Sequence, residues 1–260
     1  MSSDDFLNDK QLKKLDRKLK NVIDRVGLDQ KTESEVFDRF TLKTFEKLIS
    51  NKILDIVDFP ISTGKEGNVF RGITPDGVNV AIKVYRISTS TFKHIQKYII
   101  GDPRFQSIHK SRRDLVFAWT QKEFKNLKRI EKTKILAPKP IKCLNNVLVM
   151  EYLGTENTPA PLIKDVKIKN PEDIFKKIIS YIKIMYKNSN MVHADLSQFN
   201  IIYHKNQPYI IDFGQAVLLE HENSHDFLKR DIHRIVTYFN KNNITETEKQ
   251  IYFEITGKTW

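Results

Sequence analysis

Asp195 and Asn200 stand five residues apart in MVHADLSQFNII, and Asp212 follows in YIIDFG. Two carboxylates and an amide oxygen supply hard oxygen ligands and a base, the set that magnesium-dependent phosphoryl transfer requires. In that chemistry Asp212 and Asn200 hold Mg2+ on a triphosphate, while Asp195 orients or deprotonates the attacking group. His193 has no partner in such a scheme and reads as a structural hydrogen-bonding residue.

A lysine for the phosphates is available in VNVAIKVY. On a period of two, Val78, Val80, Ile82 and Val84 form one aliphatic core face, and Lys83 shares the other with Asn79, Ala81 and Tyr85. A cleft-lining ammonium needs a partner, because an unpaired buried charge is costly. In RRDLVFAWTQKEFKNLKRI, Leu115, Trp119, Leu127 and Ile130 share one helical face with Glu123 in its middle, which makes Glu123 the expected partner. Asp231 follows the same logic: Phe227, Ile235 and Tyr238 flank it on a helical face, so it is expected to be buried and bonded to the backbone around His193.

The segment ISTGKEGNVF lies between two predicted strands, a context that fits a flap over phosphates rather than a strand-to-helix nucleotide turn. Gly64 and Gly67 would let the backbone approach an anion, and Ser62 occupies the place of the first glycine in G-x-G-x-x-G. An ordinary hairpin turn is the alternative reading.

These groups have to be positioned by a chain of 260 residues, long enough for two lobes and, at 40% hydrophobic and 10% aromatic, able to build a sizeable core. The lone Cys143 excludes an internal disulfide and a cysteine metal cluster, and no apolar run reads as a membrane span or signal peptide. A soluble, cytoplasmic protein is expected. The formal charge of +12 favours polyanionic partners, nucleotide or nucleic acid, although a solvated lysine-rich surface gives the same count.

Helical spacing predicts amphipathic helices over Lys10–Val26 and Val36–Ile49. Strands are predicted at ILDIVDF, GNVFRGI, VNVAIKVY and NNVLVMEYL, the second and third joined by a TPDG turn. Helices are predicted over 111–132, over 171–188 behind Pro171, and over 226–240 as the last element, with NIIY and YIIDF forming a hairpin. Strands first and helices second imply an α+β protein in two lobes. The expected organisation is N-terminal helices over 1–50, a first lobe over 51–152 with an insert at 86–113, and a second lobe over 153–260.

The residues resemble a protein kinase core. Ser62, Gly64, Lys65, Gly67 and Val69 correspond to its phosphate loop, Lys83 sits in AIK, Glu123 is its partner, HADLSQFN replaces the usual HRD loop, and DFG begins at Asp212. No APE follows, and the short span after Gly214 leaves little room for an activation segment or peptide platform. STGKEGNVF, AIKVYR, KEFKNLKRI, VLVMEYLG, HADLSQFNII and IIDFGQA together look like the RIO family of atypical kinases, first subfamily. That resemblance implies a bilobal kinase-like fold, ATP with Mg2+ or Mn2+ as cofactors, adenine held at Met150, Glu151 and Leu153, and autophosphorylation on serine. It further implies ATPase turnover through phosphate on Asp212, and work on the pre-ribosomal small subunit and its rRNA. A nucleotide-binding scaffold and a small-molecule phosphotransferase are the alternatives.

Overall fold

The computed structural model describes residues 38–64, 67–87, 98–99, 102, 104, 111–240 and 246–260. The helix expected over Lys10–Val26 lies outside them. Short β-branched runs separated by turn residues form a five-stranded antiparallel sheet from β1 (Ile56–Thr63), β2 (Gly67–Ile73), β3 (Asn79–Tyr85), β4 (Pro140–Leu144) and β5 (Val147–Glu151), in the order β1-β2-β3-β5-β4. The turn between β2 and β3 closes through Gly77, whose φ of 78° suits a residue without Cβ.

The helix α1 (Arg39–Ser50) covers one face of this sheet. Phe45 and Leu48 pack there with Leu54, Phe70, Val80, Ile82, Val84, Val147 and Val149 in a closed apolar cluster. Asp38 caps α1 by accepting from Thr41 N–H at 2.7 Å, and Asn146 Nδ2 ties the β4–β5 turn to Thr41 Oγ1 at 2.8 Å.

On the other face lies α2 (Arg112–Ile130), and a second apolar core runs from Tyr85 and Leu148 through Leu115, Trp119, Leu127 and Ile130 into the helical lobe. That lobe contains α3 (Pro171–Ser189), α4 (Ser224–Phe239) and α5 (Glu248–Thr256). Between α3 and α4 the chain makes β6 (Met191–Val192), the hairpin β7 (Ile201–His204) and β8 (Gln207–Ile210), and β9 (Val217–Leu218), which pairs with β6. The α+β, bilobal, kinase-like reading is correct.

Several elements differ from expectation. Val78 is 58% exposed, because it still belongs to the turn; the aliphatic face begins at Val80. The first strand starts at Ile56, since Ile53 and Leu54 complete the turn out of α1. The edge strand β4, opened by Pro140 and largely solvent-facing, and the terminal helix α5 were not expected. The predicted strand NNVLVMEYL loses Asn145 and Asn146 to a turn in which Asn145 has a φ of 52°.

Phe45 is 1% exposed and is the largest fully buried side chain that α1 places in this cluster. Phe45→Ala is expected to cost about 3–5 kcal/mol in urea unfolding, by lost transfer energy and a cavity. A loss under about 1 kcal/mol would show that α1 is not part of the cooperative unit.

Candidate active site

The pleat of β3 points Lys83 away from the α1 core and toward α2. Its Nζ lies 3.0 Å from Glu123 Oε1 and 2.8 Å from Asp212 Oδ1. Glu123 is almost wholly enclosed, its side chain 1% exposed, whereas that of Asp212 is 44% exposed on the open cleft. The Tyr85 hydroxyl donates to the second Glu123 oxygen, so both carboxylate oxygens are satisfied. Burial opposes the ammonium of Lys83, but the two carboxylates outweigh it and raise its pKa. The protein packed around Asp212 would raise its pKa; the Lys83 ammonium reverses that and holds it below the usual carboxylate range.

The loop between β6 and β7 carries Asp195. Its neighbour Ala194 has a φ of 65°, a left-handed conformation that an alanine adopts only under constraint. The constraint comes from α4. Asp231 accepts the Ala194 and Leu196 N–H groups at 2.8 Å each, and Arg230 donates to the Ala194 carbonyl. Burial pushes the Asp231 carboxyl up to about 7 against those two bonds. His193 is buried, which lowers its pKa, and its Nε2 lies 3.0 Å from the Ile211 carbonyl, an acceptor only, so the proton of this bond sits on Nε2.

Asn200 Nδ2 donates to the main-chain oxygen of Asp195 at 2.8 Å and to Oδ2 at 3.1 Å. Both partners are acceptors, so the amide nitrogen must face them and Oδ1 is turned elsewhere. The Asn200 carbonyl also accepts from Ile211 N–H at 3.0 Å, which brings the asparagine beside the Asp212 segment. Asp195 Oδ1 pairs with Arg234 Nη1 at 2.7 Å.

At the mouth of the cleft, Ser62 and Val69 face each other across β1 and β2, and Gly64 N–H donates to the Gly67 carbonyl at 2.9 Å. A Cβ on Gly67 would overlap the Val84 carbonyl, so the close approach of β2 to β3 requires glycine there. Lys65 lies outside the described residues. Met150 and Glu151 end β5, and the Glu151 N–H is taken by the Lys139 carbonyl at 2.8 Å. Leu153 is buried, and its carbonyl accepts from Ala160 at 2.9 Å; among the described bonds none uses its N–H.

The roles of several contributors escaped the sequence reading, among them Tyr85, Arg234 and Lys122. Tyr85 lies two residues beyond Lys83 on the same strand face, and Arg234 lies three beyond Asp231 on the same helix face, so periodicity gave their faces but not their partners. Lys122, next to Glu123, is buried on the same helix.

A family model described as the RIO domain matches residues 68–251. The chain belongs to the RIO family. It is 37% identical to the RIO-type serine/threonine-protein kinase Rio1 of Haloferax volcanii, over 87% of this chain and 78% of that one. It is 39% identical to the protein of the same name in Methanocaldococcus jannaschii, over 97% of this chain and 88% of that one. In solved structures its fold is similar to the Rio2 kinase of Chaetomium thermophilum, with a TM-score of 0.66 at 18% identity, covering 95% of this chain and 76% of that one. A second structure of that kinase, its ADP/Mg2+-phosphoaspartate complex, gives a TM-score of 0.64 at 19% identity, covering 84% and 66%. Atypical RIO serine/threonine kinase function accompanies this membership.

For this RIO chain the enclosure of Glu123 has a measurable consequence. Lys83→Met removes the partner of a buried carboxylate, so it is expected to destabilise the fold by about 3–5 kcal/mol in urea unfolding. Adding Glu123→Gln to Lys83→Met should recover much of that loss. Equal stabilities for wild type and Lys83→Met would show that Glu123 does not depend on the ammonium.

Proposed function

We propose that the chain transfers phosphate from ATP with Mg2+, autophosphorylating and turning ATP over slowly, in the service of small ribosomal subunit maturation. The observation that carries the chemistry is the Lys83 ammonium shared by enclosed Glu123 and cleft-facing Asp212, with Asn200 Oδ1 left outside its amide's bonds to Asp195. Glu123 anchors the lysine, leaving it aimed at phosphate oxygens. Adenine would lie against Met150, with its edge read by the Glu151 carbonyl and the Leu153 N–H. The flap of Ser62, Gly64, Lys65, Gly67 and Val69 would cover the phosphates.

The residues fit a divalent cation. Asp212 offers an exposed carboxylate of depressed pKa and Asn200 a neutral oxygen, both hard donors. Mg2+, when bound, neutralises charge on the phosphates. Asp195, fixed between Arg234 and Asn200, orients or deprotonates the attacking hydroxyl or water.

The span from Gly214 to α4 at Ser224 is occupied by β9 and a turn, leaving little backbone for a peptide platform. An acceptor already in the cleft is therefore favoured. Asp212 Oδ can attack the γ-phosphorus as the bond to the ADP oxygen breaks, and water then cleaves the acyl phosphate. The phosphoaspartate named in the Rio2 complex supports this course. With labelled ATP, Asp212→Ala should reduce transfer to background while the protein remains folded by circular dichroism, because its side chain is 44% exposed and no apolar core is opened. Hydroxylamine should release part of the wild-type label. Full activity in Asp212→Ala would refute the site, and complete survival of label would leave a serine kinase without the aspartyl intermediate.

A polyanionic partner is supported by Lys125, Lys128, Arg129, Lys132 and Lys134, which line a groove of about 1080 Å3 beside Asn188. Arg112 and Arg113, which open α2, add two further cations at the N-terminus of the same helix. If about six phosphates are neutralised, affinity for ribosomal RNA should fall on the order of a thousandfold between 50 and 200 mM salt. A flat salt dependence in a binding titration would leave these lysines as a solvated face. Among the described residues no helix is long and apolar enough to cross a membrane.

A further inference from the structure

Lys122 is 0% exposed on the face of α2 that carries the core. Among the described residues its donors go to main-chain oxygens: Nζ bonds to the Gly214 carbonyl at 2.8 Å and to that of Ala216. One turn on, the equally buried Asn126 donates Nδ2 to the Phe213 carbonyl at 2.8 Å and to the Ala216 carbonyl at 3.1 Å. The carbonyls of 213, 214 and 216 are thus gripped by the helix whose next residue, Glu123, holds Lys83.

A lysine at such a place is expensive. Burial pulls its pKa down to about 7, with Asp102 opposing and Arg104 adding to the fall. An aliphatic residue would fill the space without that cost, so core packing does not account for the amine. Its N–H groups do, since a neutral amine and an ammonium both donate to carbonyls. The fit is close: the Trp119 ring lies under Lys122, with Nζ 5.3 Å from its centroid, and a Cβ on Gly214 would sit 3.2 Å from the same ring. Asp212, at the head of the gripped segment, has a φ of 62°, a strained conformation for a residue other than glycine.

The orientation of the Asn126 amide is itself controlled. Arg104 Nη1 donates to Asn126 Oδ1 at 2.9 Å, and a guanidinium can only donate, so the amide nitrogen must face the loop carbonyls. Arg104 is in turn held by the buried Asp102, through Nη2 at 2.6 Å, Nε at 2.9 Å and its own N–H at 3.0 Å. Asp102 and Arg104 belong to the insert that precedes α2.

We infer that Lys122 and Asn126 are positioning residues that lock the loop bearing Asp212 to the helix bearing Glu123, and that Arg104 of the insert sets the lock by fixing the Asn126 amide. The Lys83–Glu123 pair and the Asp212 carboxylate then share one support. The insert acts on the metal-binding geometry from outside the cleft.

This inference rests on the phosphoryl-transfer reading, and its test separates the two. The affinity of a fluorescent ADP analogue is measured with Mg2+ and with EDTA, beside the Mg2+ dependence of autophosphorylation, for wild type, Lys122→Met and Arg104→Ala. In Lys122→Met the EDTA affinity should be unchanged, while the enhancement by Mg2+ falls about tenfold, the scale seen when groups orienting a metal ligand are removed. Arg104→Ala should show the same pattern more weakly. A folded Lys122→Met with wild-type Mg2+ response overturns the inference, as does equal weakening with and without Mg2+, the mark of a merely structural role. If Lys122→Met melts far below wild type, Arg104→Ala decides, and a wild-type Mg2+ response there overturns it. A wild type with neither Mg2+ enhancement nor transfer brings down the phosphoryl-transfer reading itself, and this inference with it.

Discussion

An ammonium placed between an enclosed carboxylate and an exposed one constrains everything around it. Glu123 cannot be solvated where it sits, so it must be paired, and Lys83 is the cation within reach at 3.0 Å. That pairing fixes the rotation of α2 against β3, since a helical turn in either direction would bury the carboxylate against apolar side chains. The sheet is consequently two-faced. Val80, Ile82 and Val84 pack under α1, and the intervening Ala81, Lys83 and Tyr85 turn toward α2. A buried ion pair is poor evidence of stability on its own, because desolvation offsets most of the Coulomb attraction. Its value here is registration: one lobe supplies the cation, the bridging helix an enclosed anion, and the open cleft a second anion.

Two strained residues lie at this junction, Ala194 at a φ of 65° and Asp212 at 62°. Each costs on the order of 1–3 kcal/mol and persists only if its surroundings over-determine it. The surroundings are helices in both cases. α4 takes the amide and carbonyl of Ala194 through Asp231 and Arg230, and α2 takes the carbonyls of Phe213, Gly214 and Ala216 through Lys122 and Asn126. The two turns also share a ladder, because Val192 pairs with Val217 and the strained residues lie on the segments leading out of and into that pair. The site is therefore shaped by polar grips on main-chain atoms rather than by apolar packing.

Much of this was legible in the sequence. A carboxylate in the middle of an apolar stripe is an anomaly that burial must resolve, which exposes Glu123 and Asp231 to a reading by periodicity alone. Lys122 is the same anomaly one position earlier. It escapes because lysine is common on helices and its long stem passes for a snorkelling one. Hydroxyl and guanidinium partners such as Tyr85 and Arg234 are hidden for another reason: both residue types occur freely on surfaces, and only the tertiary approach of β3 to α2, or of α4 to the Asp195 loop, gives them a task. The missed β4 opens with proline and alternates weakly. The missed α5 carried its signal in Thr247 and Gln250, a capping box, but its nine residues are too short to display a clear face.

Between Gly214 and α4 the chain has little backbone to spare for a peptide platform. In this chain the segment after Asp212 is committed at once: its carbonyls go to α2, Val217 and Leu218 go to β6, and Ser224 Oγ turns back to the Leu219 carbonyl at 2.9 Å as α4 begins. Backbone bonded this densely cannot also swing outward to receive an extended substrate strand, since each bond broken in a buried setting costs its full desolvation penalty. What is left free to vary is the support behind it, namely the residues of the insert that brace Asn126, so one buried stretch of α2 carries both Glu123 and the grip on the Asp212 segment.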